Sequence, residues 1–158
     1  MFIKTKCYSN HGEQLVETFI NLNNLESFFK SEKNLEEHNS IKNQKPIVGF
    51  MFSQGTCLYP FETSAEQEAY FVYLCDIIKD LNFIKATFYS DLNKKNIEGV
   101  INMDCMESIF KEEKLMEIGT TSYRILYNFI KGSAVENFAS ESERDAKWEA
   151  IFEKINKG

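Results

Sequence analysis

The residues best suited to chemistry sit in two short, strand-like stretches. Residues 2–9 read Phe-Ile-Lys-Thr-Lys-Cys-Tyr-Ser, and residues 83–90 read Phe-Ile-Lys-Ala-Thr-Phe-Tyr-Ser. Alternate side chains of an extended chain share a face. Phe2, Lys4, Lys6 and Tyr8 are therefore grouped, as are Phe83, Lys85, Thr87 and Tyr89. Rings interleaved with ammonium groups can stack on bases and track phosphates, which is the chemistry of single-stranded nucleic-acid binding. The competing and preferred expectation is that the rings pack against the other copy's sheet or helix, with the lysines at the rim.

Other reactive residues do not converge. The two histidines, His11 and His38, fall in polar turns. The four cysteines show no Cys-x-x-Cys spacing and no nearby histidine, so neither a metal centre nor a disulfide framework is expected. They read as small core hydrophobes. The seven glycines are scattered, and neither a phosphate-cradling loop nor a nucleophile elbow occurs. No catalytic residues, cofactor or metal are expected, and the chain does not read as an enzyme.

The two stretches belong to a longer internal duplication. Residues 2–33 align with 83–114 at a constant offset of 81, and fourteen of the 32 positions are identical. An offset of 77 then aligns Phe52 with Phe129, Gly55 with Gly132, Glu66 with Glu143 and Ile78 with Ile155. Alternation predicts strands over residues 2–9, 16–21 and 26–33, then a glycine-centred hairpin over 47–62, each matched in the second half. A tight turn at 22–25 would set residue i opposite 47−i, placing Glu17 against Lys30 and Glu98 against Lys111. Thr63-Ser64-Ala65-Glu66 and Ser140-Glu141-Ser142-Glu143 are capping boxes that open helices. Phe71, Leu74, Cys75 and Ile78 form the first helix's buried stripe, and Trp148, Ile151, Phe152 and Ile155 that of the second.

The expected fold class is α+β, a tandem internal repeat of residues 1–81 and 82–158. Each copy is a 4–5-stranded antiparallel β-meander followed by one amphipathic helix, in a pseudo-two-fold arrangement. Only Leu81 and Asn82 join the copies, which favours one compact unit with a shared core. This tandem strands-plus-helix order resembles the architecture of the PUR and Whirly single-strand-binding proteins, a resemblance of topology that implies the nucleic-acid reading above.

Charge points elsewhere. The chain carries a net charge of −6 with a pI near 5.1, which argues against a general duplex-DNA footprint. No run of about 18 apolar residues occurs, so a soluble, cytoplasmic protein without membrane contact is expected. Asp76 and Asp80 lie on one helix and Glu149 and Glu153 on the other, as acidic faces suited to a basic protein surface. The polar 34–46 loop adds His38, Lys42 and Lys45 as candidate partner-binding residues. The leading expectation is a small acidic non-catalytic protein-binding module of the inhibitor, immunity or anti-defence type. Single-stranded nucleic-acid binding is the alternative, and a small-ligand site at the repeat interface is the third.

Overall fold

The computed structural model describes residues 1–8, 15–34, 44–90, 95–130 and 132–157. The fold is α+β, with ten antiparallel strands in two sheets and two helices among these residues. The first half holds β1 (Phe2–Tyr8), β2 (Leu15–Asn21), a 3-10 turn (Leu22–Asn24), β3 (Ser27–Asn34), β4 (Gln44–Phe52), β5 (Gly55–Pro60) and α1 (Ser64–Ile77). The second holds β6 (Phe83–Ser90), β7 (Lys95–Asn102), a 3-10 turn (Met103–Cys105), β8 (Ser108–Leu115), β9 (Thr121–Phe129), β10 (Gly132–Phe138) and α2 (Glu141–Lys157). The same order of elements occurs twice. No described helix is long and apolar enough to cross a membrane.

Connectivity departs from a meander. β1 and β2 form their own hairpin, with β1 lying alongside β5. The other eight strands run β5-β4-β3-β7-β6-β10-β9-β8. The expected β2–β3 hairpin does not form. The 3-10 turn after β2 buries Leu22, and the chain turns away into a different sheet with Leu25 also buried. Asn21 fixes that turn by accepting the Asn23 N–H at 3.1 Å. Glu17 therefore meets Lys4 at 3.0 Å, not Lys30, and Lys111 meets Asp145 at 3.3 Å, not Glu98.

Strand alternation buries Ile3, Thr5 and Cys7 of β1, and Ile125, Tyr127 and Phe129 of β9. The β4–β5 turn uses Gly55 at φ 147, a backbone angle that side chains resist. The apolar core falls into two clusters, not one shared core. One surrounds Phe28, Phe50, Phe71 and Leu74, and the other surrounds Ile101, Ile125, Tyr127 and Ile151. Phe83 and Val100 cross over, because they pack in the first cluster with Ile78.

Both helices begin at the capping boxes. Thr63 Oγ1 accepts the Glu66 N–H at 3.2 Å, and the Glu66 carboxylate accepts the Thr63 N–H at 3.1 Å. In α2, Ser140 Oγ accepts the Glu143 N–H at 3.2 Å, while the Glu143 carboxylate reaches one residue further back, to the Ala139 N–H. Each helix is then latched to its sheet at an equivalent point. Gln67 donates to the Ser31 and Ile47 carbonyls at 2.7 and 2.6 Å, and Arg144 donates to the Glu112 carbonyl at 3.2 Å. The stripes differ. Phe71, Leu74 and Ile78 are buried, but in α2 only Ile151 is fully buried, Trp148 is half-buried, and Phe152 and Ile155 face solvent.

The halves are joined at β3–β7. Ser27, Phe28 and Phe29 pair with Ile101, Val100 and Gly99. One step on, Lys30 Nζ meets the Glu98 carboxylate at 2.8 Å, and Lys95 meets Glu32 at 3.0 Å. Asn102 is buried at this joint. Its backbone N–H donates to the Glu26 carbonyl at 2.8 Å and its amide to the Leu25 carbonyl at 2.9 Å.

Candidate docking surface

The outer face of the β1–β2 hairpin carries the aromatic-lysine set. Phe2, Lys4 and Lys6 are exposed and Tyr8 is half-buried. Register places Phe19 opposite Lys4, Glu17 opposite Lys6 and Leu15 opposite Tyr8, and all three are exposed. Phe2 and Phe19 thus stand in solvent among Lys4, Lys6 and Glu17. The expectation that both copies' rings are covered fails for this hairpin, because no described element packs over it. It holds for Phe83, which is buried in the first core, while Lys85, Thr87 and Tyr89 are exposed. The Lys4–Glu17 pair interrupts the positive strip that single-strand binding favours.

The acidic residues are at the surface. Asp76 on α1 pairs with Lys79 at 3.3 Å, and Asp80 is exposed just beyond the helix. On α2, Glu149 and Glu153 are exposed, with Glu153 next to Lys157 at 3.4 Å. Both carboxylates lie on one side of exposed Phe152 and Ile155 along α2. Lys45 lies on β4, half-buried, and meets Glu62 at 3.0 Å. His38, Lys42 and His11 lie outside the described residues.

The cysteines are free thiols in the structure. Burial, with Cys57 nearby, pushes the Cys7 thiol up to about 12. A thiol so reluctant to ionise is a poor nucleophile and a poor metal ligand. Cys105 is half-buried at the joint, where it accepts the Asn102 amide N–H at 3.2 Å and donates to the Asn23 carbonyl at 3.5 Å. It packs against the second apolar cluster, as expected of a small core hydrophobe, and also makes a polar contact between the halves.

Two features were not read from the sequence. A groove of about 470 Å³ lies between the β4–β5 and β9–β10 turns, lined by Phe52, Gln54, Phe129, Ser133 and Glu26. Glu26 is buried, and burial raises its carboxyl above the ordinary value. The second feature is the exposed apolar set Phe19, Phe110, Phe152 and Ile155. Its signal lay in the duplication, because position 19 aligns with Val100 and position 155 with Ile78, both buried. Neither family models, nor curated proteins, nor solved structures yield a match to this chain.

Proposed function

We propose that this chain is a non-catalytic module that docks a protein partner with a basic surface, and that residues 1–81 and 82–158 are two copies of one unit in a pseudo-two-fold arrangement. The observation that carries the reading is the α2 face, where exposed Phe152 and Ile155 stand beside exposed Glu149 and Glu153. An exposed apolar patch bordered by polar and charged residues is a common form of protein interface. The carboxylates would draw in a lysine-bearing partner, and the rings would hold it. An inhibitory or immunity-type role is this same docking, applied to a partner whose own site is covered.

The test is photo-crosslinking with Phe152→p-benzoylphenylalanine, a change at an exposed position that leaves the core intact. The account expects protein adducts that disappear when Glu149 and Glu153 are both changed to Lys. Adducts to nucleic acid alone contradict it.

Single-stranded nucleic-acid binding is the second reading, supported by the exposure of Phe2, Lys4 and Lys6 on one face. It expects Lys4→Ala with Lys85→Ala to weaken binding of a labelled oligonucleotide and flatten its salt dependence. A small ligand at the interface of the copies would use the groove beside Glu26.

A further inference from the structure

The joint between β3 and β7 is made once in the chain, yet the residues for making it occur twice. It involves residues 26–30 and 98–102, whose counterparts are 107–111 and 17–21. Seven of these ten positions are identical in the duplication, namely Glu26/Glu107, Ser27/Ser108, Phe29/Phe110, Lys30/Lys111, Glu98/Glu17, Ile101/Ile20 and Asn102/Asn21. Of the remaining 22 aligned positions, only seven are identical. Identity between the halves is thus concentrated at the joint. Yet the second set has no partner strand. Among the described residues β8 pairs only with β9, and β2 only with β1.

Side-chain exposure tells the same story. At the made joint Phe83 is 7% exposed, Val100 1% and Ile78 5%. Their counterparts Phe2, Phe19 and Ile155 are 66%, 68% and 46% exposed, and Phe152, the counterpart of half-buried Cys75, is 55% exposed. These four exposed side chains are what a second joint of the same kind would cover. Charge agrees. Lys30 touches Glu98, Glu68 and the Phe71 ring, whereas Lys111 has Asp145 and the Trp148 ring but lacks its glutamate. Asn21 caps its turn as Asn102 does, yet its amide nitrogen has no acceptor among the described residues.

We propose that the partner of this surface is a second copy of the chain. It builds on the docking reading above by naming the partner. The β8 edge of one copy pairs antiparallel with the β2 edge of the next, in the register Ser108↔Ile20, Ile109↔Phe19 and Phe110↔Thr18. Lys111 there meets Glu17 of the second copy. The lysine-bearing β1–β2 hairpin of that copy covers the α2 face beside Glu149 and Glu153, setting Phe2 and Phe19 against Phe152 and Ile155. Each chain offers one edge of each kind, so assembly runs head to tail. It either closes as a ring or continues as an open chain, and in both the joint is the same.

The experiment is sedimentation velocity with the full chain, up to about 200 µM to reach the micromolar range of modest interfaces. The wild type is expected to associate. Phe19→Ser, exposed in the single chain, should weaken association by about tenfold or more, as a central apolar anchor does. Lys111→Glu should weaken it too, and the double change Glu17→Lys, Lys111→Glu should restore it. Circular dichroism melts confirm that each variant is folded. A mixture of Thr18→Cys with Phe110→Cys under oxidation should give a disulfide between two chains, beyond any formed by the wild type. A wild type that stays monomeric throughout the range overturns the proposal. So does a Thr18→Cys, Phe110→Cys double variant that closes only within one chain. Crosslinks from position 152 to a different protein would leave the docking reading standing while this inference fails.

Discussion

Lys30 on β3 and Glu98 on β7 meet at 2.8 Å and close the joint between the two halves of the chain. Their counterparts in the duplication, Lys111 and Glu17, are the same residue types and do not meet. On the reading proposed above, the protein carries one completed and one uncompleted version of a single interface. Exposed Phe2, Phe19, Phe110, Phe152 and Ile155 belong to the second of these.

The completed joint should be sensitive to volume. A Cβ at Gly99 would lie 2.3 Å from the Phe88 ring and 2.9 Å from the Phe28 carbonyl oxygen. Gly99→Val is expected to destabilise by ~1–3 kcal/mol through overpacking. Thr18→Val, at the matching place on the open edge, should change stability by no more than ~0.5 kcal/mol. Urea unfolding of the two variants at equal, low concentration checks the contrast.

Tyr127 and Glu136 hold the seam between β10 and β6. The Glu136 carboxylate accepts the buried Tyr127 hydroxyl at 2.7 Å and the Thr87 N–H at 2.9 Å. Tyr127→Phe keeps the ring and leaves buried Glu136 short of one donor, which should destabilise by ~1–3 kcal/mol. A near-neutral result in the same unfolding assay would mean that water or Lys147 takes over.

Glu26 gives a pH dependence of definite sign. Burial raises its carboxyl above the ordinary value of 4.5, so the folded state holds the proton more tightly than the unfolded chain. This contribution to stability is full below the ordinary value and is lost as pH rises through the folded value. Glu26→Gln removes the charge and keeps the shape. It should raise the thermal midpoint at neutral pH, and the gain should vanish below the ordinary glutamate range. A gain that persists unchanged in acid would show that charge is not the cause.

The duplication made much of this fold legible. The capping boxes at Thr63 and Ser140 placed both helices, and alternation placed the strands. The glycine-centred β4–β5 and β9–β10 hairpins were legible too, but the partners of β2 and β3 were not. Glu17 and Lys30 have the spacing of a hairpin pair, but local spacing cannot show that buried Leu22 and Leu25 turn the chain into another sheet. The α2 stripe failed for a related reason. Its spacing matches α1, yet what covers Ile78 is Phe83 and Val100 from the following half, and among the described residues no strand does the same for Ile155. Asp76, Asp80, Glu149 and Glu153 are exposed, but Phe152 and Ile155, read as core, are exposed beside two of them.

The central claim is that the strand order ends in two edges that another polypeptide completes. Hydrogen exchange by mass spectrometry over residues 15–21 and 108–115 tests it most directly, with 95–102 and 27–34 as internal references. In dilute protein, both edge segments should exchange faster than their references, because unpaired strand amides lack a ladder on one side. On association they should slow to match them. Edge segments as protected as their references in dilute, monomeric protein would contradict the account, because the two edges would then already be paired within one chain.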